Sequence, residues 1–445
     1  MKIASITIEN LFGFLTHKIP LNHEDGITLI HGTNGCGKTT LLKLIHAVFT
    51  GDFATLNSVT FDNIIIKYTN DVELTIKKSL TDSTSKTDLR EIDDKHTPIA
   101  KISFYRSDLP EQEYTVDSSH FTTEIAKLRP SLFEQEIPEL SRVESDDEWH
   151  EMPNNELSPR QVIRRYELMQ SRRFKKPKWL QELLENIQVH FVRTQRLIQL
   201  SKTGQSARDA VEIYSNEICE IIAKKLAEYF EISQDRSFIE QLFNKKIPES
   251  VSETELRQRY NEMEDRLKKL MDVGLLDEET HIPLPNTELE SLEKKVLWLY
   301  LEDVNQKLNR VNELQERIET FMGIIAPKLR NKKFRIDRNN GFIFEKTNGN
   351  PGKLEPAALS SGEQHQLVLF YELIFKSEDN PLFLIDEPEI SLHIEWQRQF
   401  LQDISKITNL GGYTFVIATH SPHIIHNRRD LAVALEGGLL GGENN

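Results

Sequence analysis

Near the start of the chain, Gly32-Thr33-Asn34-Gly35-Cys36-Gly37-Lys38-Thr39 has the spacing of a phosphate cradle. Glycines allow successive backbone N–H groups to turn toward one anion, Lys38 offers a positive charge to β and γ phosphates, and the Thr39 hydroxyl is an oxygen ligand for Mg²⁺. Asn34, Gly35, Cys36, Gly37, Lys38, Thr39 and Thr40 are thus the candidate nucleotide-binding residues. The pattern requires a strand before it and a helix after it, and Ile27–His31 and the run from Lys38 meet both needs. Far downstream, an apolar strand beginning at Pro381 ends in Asp386-Glu387. Alone, two acids at a strand end read as solvated carboxylates. Paired with a phosphate cradle they divide the labour, Asp386 holding Mg²⁺ and Glu387 polarising an attacking water.

Between these motifs lies Leu359-Ser360-Ser361-Gly362-Glu363-Gln364, followed by an apolar helix. A serine-capped helix start is a common fold device and also an anion site. In its order and spacing before Asp386 it resembles the signature of the ABC ATPase superfamily, in the form used by the SMC and RecF branch and by the overcoming-lysogenization-defect (OLD) ATPases. That resemblance implies an α/β, ABC-type P-loop head in which Ser360, Ser361, Gly362 and Glu363 meet the γ-phosphate held by another protomer, so that the working unit is a homo-oligomer, at least a dimer. It further implies that His420 senses the γ-phosphate and that Gln195 completes the Mg²⁺ shell, with Gln199 close by as an alternative. ATP and Mg²⁺ are the implied cofactors. Where ABC transporters carry a D-loop aspartate this chain has Ser391-Leu392-His393, which favours the RecF and OLD branch.

Within that branch, the stretches Val189–Leu197, Leu359–Leu373 and Ile385–Gln397 are similar to the stand-alone ATPases of bacterial anti-phage defence. The nearest resemblance is to PARIS ATPase subunits, then to Septu ATPases. Implied partners are a separately encoded nuclease, TOPRIM in the first case and HNH in the second, and a phage protein as trigger. OLD proteins carry their own TOPRIM domain, whereas the stretch from His420 to Asn445 is too short for one. A RecF- or SMC-like DNA-repair ATPase that clamps DNA is the alternative, and a slowly hydrolysing, ATP-gated scaffold is a third.

The elements that must position these residues divide as 1–195 and 327–445 for the head and 196–326 for a helical insertion. Leu256, Tyr260, Met263, Leu267 and Leu270 follow a helical period, as do Leu289, Leu292, Val296 and Leu299 and then Val304, Leu308, Val311, Leu314 and Ile318. Gly274, Pro283 and Pro285 break the chain between them, so the expectation is an antiparallel hairpin, a short coiled-coil arm. Residues 60–116 read as an antiparallel lobe, and 130–186 as mostly helical with a start at Ser158-Pro159. The segment Arg160–Lys178 is basic with Phe174 and Trp179 interleaved or adjacent; it reads either as a solvated or protein-binding helix face or as a nucleic-acid contact.

With 445 residues and a net charge of -15, the average surface repels nucleic acid, so any such contact needs a local basic patch. Cys36 and Cys219 are too far apart for a disulfide framework, which suits a reducing cytoplasm. No signal-peptide pattern or run of about 18 apolar residues occurs, so neither secretion nor a membrane span is expected.

Overall fold

A computed structural model describes residues 1–81, 99–117, 176–193, 207–231, 252–276, 283–285, 287–347, 352–376 and 380–435. The chain opens with β1 (Ile3–Leu11) and β2 (Leu15–Pro20), joined by a tight turn in which Phe12 takes a φ of 57°. β3 (Ile27–His31) is buried almost throughout, as a strand covered on both faces must be. It feeds α1 (Lys38–Thr50) and the short α2 (Phe53–Ser58), whose N-cap Asp52 accepts from the Thr55 N–H. β4 (Asn63–Tyr68), β5 (Glu73–Thr81), β6 (Ile99–Arg106) and β7 (Glu113–Asp117) then complete an antiparallel sheet of order β2-β1-β4-β5-β6-β7.

That sheet begins earlier than the sequence reading placed it, because β1 and β2 belong to it. β2 alternates buried and exposed residues in strict strand fashion, but one of its buried positions is His17, and a polar residue on the inner face hides the period.

After α3 (Lys178–Glu185) and β8 (Gln188–Arg193) come three long helices, α4 (Ala207–Glu231), α5 (Glu253–Asp272) and α6 (Ser291–Ile325). A small antiparallel sheet follows, β9 (Lys332–Asp337), β10 (Gly341–Lys346) and β11 (Lys353–Leu354). The remaining elements are α7 (Ser361–Phe375), β12 (Pro381–Asp386), α8 (Ile394–Thr408), β13 (Thr414–Ala418), α9 (Pro422–Ile425) and β14 (Ala432–Ala434). β14, β3, β13, β12 and β8 lie in that order in a wholly parallel sheet. Among the described residues no helix is long and apolar enough to cross a membrane. Of the expected helical segment 130–186, only residues 176–186 are described, and the Ser158-Pro159 start lies outside them, as does most of the basic stretch Arg160–Lys178.

The five expected contact residues of α5 do pack inward: Leu256, Tyr260, Met263 and Leu270 are buried and Leu267 partly so, in one apolar cluster with the α6 core. The direction of α5 differs from expectation. Glu253, at its start, accepts from the Leu289 N–H and pairs with Lys294 at the start of α6, while Arg266 further along donates to Asn305, Asn309 and Asn312. Positions rise together along both helices, so α5 and α6 run parallel. The antiparallel partner of α6 is α4: Tyr214 stacks on Tyr371, which also meets Phe321, whereas Glu228 lies in the field of Arg310.

Gly274 explains how the chain manages this. At φ 78° it ends α5 against β9, where a Cβ would sit 2.1 Å from the Ile336 carbonyl oxygen, and the chain then returns to the far end before α6 begins. The 35 residues of α6 make an arm about 52 Å long. Its buried stripe includes Leu297, Leu301, Val304 and Leu308, which leaves the expected core positions Leu292 and Val296 exposed at 67% and 40%.

Where the arm enters the head, Lys328 is paired with Asp403 of α8, both almost wholly buried, and its ammonium lies 5.6 Å from the Phe370 ring of α7. Replacing Asp403 by Ala strands that charge and is expected to cost about 3–5 kcal/mol in chemical denaturation. A Lys328→Met, Asp403→Leu double variant should recover most of the loss.

Candidate functional site

Parallel pairing brings the C-terminal ends of β3, β13, β12 and β8 to one edge of the sheet. Ile30 is level with Ala418, and Ala418 and Arg193 flank Asp386 in register. The residues that follow each strand therefore meet there: the glycine loop after β3, Thr419-His420 after β13 and Glu387 after β12. Gln195 would follow β8 but lies outside the described residues.

In the loop, Gly35 and Gly37 take φ of 86° and 89°. Lys38 is buried, and its ammonium donates to the carbonyl oxygens of Gly32 and Thr33, each at 3.1 Å. Asn34 and Gly35 are exposed, Thr39 and Thr40 half-buried, and Cys36 is buried beneath the loop. Thr39 Oγ1 donates to Asp386 Oδ1 at 3.1 Å, joining the start of α1 to the end of β12. A hydroxyl and a carboxylate converging beside the lysine are hard oxygen donors of the kind Mg²⁺ prefers, so the residues present fit that ion.

Glu387 sits in the left-handed region at φ 48°, a conformation that costs a non-glycine residue of order 1 kcal/mol and turns its side chain away from the strand direction. Its N–H donates to the Ala418 carbonyl at 2.8 Å, and Oε1 lies 3.7 Å from His420 Nε2. The expected water activator and the expected sensor are therefore neighbours, each about a third exposed.

Sequence reasoning missed the group that holds them. Glu389 accepts from Thr419 Oγ1 at 2.8 Å and from the His420 N–H at 2.6 Å, clamping the turn after β13 to the turn after β12. Gln397 of α8 extends the clamp, donating to the Glu389 and Leu392 carbonyls while accepting from Ser421 Oγ. A third acid in Asp386-Glu387-Pro388-Glu389 was the available signal.

At the start of α7, Ser360 and Glu363 form a reciprocal capping box, and Lys332 of β9 donates to both Glu363 carboxylate oxygens at 2.8 Å. Burial pushes the Glu363 carboxyl up, but Lys332 and the Ser360 N–H and O–H outweigh it and hold it below the ordinary carboxylate range. Gly362 lets α7 approach α8, since a Cβ there would lie 3.2 Å from the Trp396 ring. Ser360 and Ser361 themselves are exposed.

Two outcomes follow. Glu389→Ala should leave nucleotide affinity within about threefold of the parent while lowering turnover at least tenfold, because it frees the His420 turn and spares the phosphate loop; equal losses in both would show a general collapse. Glu363→Ala should destabilise the fold by about 1–2 kcal/mol at pH 7. Since the folded carboxyl is held low, its stabilisation is present above the unfolded value near ~4.3 and is lost as pH falls through the folded value. Urea denaturation of both proteins at pH 7 and pH 3 should show the gap closing at the lower pH.

The profile of the family described as AAA ATPase domain matches residues 1–425. Over 149 residues the chain is 30% identical to UvrABC system protein A of Clostridium tetani (strain Massachusetts / E88), a match covering 32% of this chain and 15% of that protein. For UvrABC system protein A of Chlamydia pneumoniae the identity is 34% over 88 residues, covering 19% and 5%. The chain thus spans only a small part of the length of these relatives. Among solved structures, the Smc head domain with an extended coiled coil bound to the C-terminal domain of ScpA, from Pyrococcus furiosus, aligns with 96% of this chain and 91% of that one at 14% identity and a TM-score of 0.34. The SMC head domain from Thermotoga maritima aligns over 97% and 92% at 11% identity and a TM-score of 0.35. Because the profile runs through both halves of the head and across the helical arm between them, the chain belongs to the AAA ATPase domain family.

Proposed function

We propose that this ATPase hydrolyses ATP at a site shared between two copies of the chain, and that the paired heads are the scaffold and sensor of a bacterial anti-phage defence system. The observation that carries the chemistry is the Thr39–Asp386 bond, which puts the phosphate loop and the acidic strand end in contact. Lys38 compensates phosphate charge, Thr39 and Asp386, with Gln195, hold Mg²⁺, and Glu387 takes the proton of the attacking water as the γ-phosphoryl group leaves ADP. Bound Mg²⁺ supplies charge neutralisation at the β and γ phosphates. In this reading His420 responds to the γ-phosphate, supported by its position beside Glu387.

Support for a second copy comes from how the half-sites are built. Ser360 and Glu363 spend their hydrogen bonds on each other and on Lys332, within the α7 start. That internal capping fixes the start of α7 with Ser360 and Ser361 exposed at the surface, where a neighbouring head would meet them. Ile390 and Ile394, 49% and 53% exposed just beyond Glu387, offer apolar surface that a partner would cover.

The defence role rests on the resemblance to PARIS and Septu ATPases, and implies a separately encoded effector nuclease, TOPRIM in preference to HNH, released when a phage protein is sensed. A DNA-repair clamp of RecF or SMC type is the second reading, supported by the local similarity to UvrABC system proteins.

The expected outcomes are specific. Lys38→Ala should abolish nucleotide binding, and Glu387→Gln should retain it while turnover falls by about 10²–10⁴ and ATP-bound oligomers accumulate. Lys38→Ala and Ser361→Arg chains, each inactive, should regain part of the ATPase activity when mixed, since some pairs then combine an intact loop with an intact signature. Silent mixtures of chains that demonstrably co-assemble would refute the shared site, and normal turnover in Glu387→Gln would refute the assigned base.

A further inference from the structure

β2 turns one polar side chain into the apolar side of the antiparallel sheet. His17 is 2% exposed, and its Nε2 lies 2.8 Å from the carbonyl oxygen of Cys36 in the phosphate loop. A carbonyl oxygen can only accept, so Nε2 carries the proton of this bond. Burial pushes the imidazole below its usual range, with the bond to Cys36 acting weakly the other way, so the ring is the neutral Nε2–H tautomer at pH 7.

What that bond does follows from peptide geometry. The Cys36–Gly37 peptide is trans, and a trans peptide points its C=O and its N–H in opposite directions. Holding the Cys36 oxygen down on β2 therefore turns the Gly37 N–H the other way, toward the open side of the loop. The same peptide is braced by the β1–β2 turn: a Cβ on Gly37 would lie 2.9 Å from Leu11 Cδ2 and 3.2 Å from Phe12 Cε2. Lys38 secures the other limb of the loop through the Gly32 and Thr33 carbonyls. A loop that cradles an anion depends on consecutive N–H groups being aimed before the ligand arrives, since each misaligned donor must otherwise be reoriented at binding.

We propose that His17 is a positioning residue for nucleotide binding, holding the Cys36 carbonyl so that the Gly37 N–H faces the phosphates. The inference rests on reading Gly32–Thr40 as the nucleotide loop. A histidine that merely filled the core would be replaceable by any apolar residue of similar size.

The test titrates the full chain with fluorescent ATP and ADP, comparing wild type, His17→Leu, His17→Gln and His17→Asn, with Lys38→Ala as reference and a thermal melt on each. Glutamine can set an N–H donor near the place of Nε2; leucine has no donor, and the asparagine amide falls short. His17→Leu is expected to lose about tenfold in affinity for both nucleotides, with His17→Gln returning to within about threefold of wild type. If His17→Leu does not fold, the Gln and Asn pair decides, Gln tight and Asn weak being the expected order. Wild-type affinity in His17→Leu, or equal losses in Gln and Asn, would overturn the proposal whatever the melts show. Absence of nucleotide binding by the wild-type chain would instead remove the reading of the loop, and the inference with it.

Discussion

Everything at the site depends on the parallel pairing of β3, β13 and β12. Parallel strands all end at the same edge, so whatever follows each of them is delivered to one line of space. Thr39 and Asp386 are 347 residues apart in the chain and 3.1 Å apart in the fold, and no local interaction contributes to that meeting. The strands can run this way because both faces of the sheet are covered. β12 is apolar and buried from Pro381 to Ile385, and its polarity begins at Asp386, where the sheet ends.

Charged side chains, buried or partly so, then tie the surrounding elements to that edge. Lys328 with Asp403 joins the arm to α8, Lys332 with Glu363 joins β9 to α7, and Glu389 joins the turns that follow β12 and β13. An unpaired ion would be costly at Lys328–Asp403 or Lys332–Glu363, so each of these two pairs restricts how its elements can sit, and the Glu389 hydrogen bonds do the same for their two turns. The apolar core reinforces the restriction: one continuous cluster runs from Leu256 and Leu308 in the arm through Phe321 and Tyr371 to Phe400 in α8 and Phe415 in the sheet. The helical insertion is thus packed into the head at its base, by way of α7, the helix that bears Ser361.

The arm also shows where periodicity stops being informative. A stripe of Leu256, Tyr260, Met263 and Leu270 establishes that α5 is a helix with one buried face, and that face is buried. It contains nothing about direction, because an amphipathic helix can pack either way along a neighbour. Direction was settled by Glu253 meeting Leu289 and Lys294, by Arg266 meeting Asn305, Asn309 and Asn312, and by Gly274 ending α5 close against β9.

From the residues alone came the phosphate loop, the acidic strand end, the capped helix at Ser360 and the strands that carry them, since each is written in contiguous residues whose chemistry depends on short spacing. The sequence also suffices for family membership, through a profile that spans residues 1–425. Only the tertiary structure revealed His17 under the Cys36 carbonyl, Glu389 across the Thr419-His420 turn and the pairing of α6 with α4. Those contacts join residues far apart in the chain through single hydrogen bonds and packed faces, and a contact of that kind has no local pattern to betray it until the sheet has brought its two ends together.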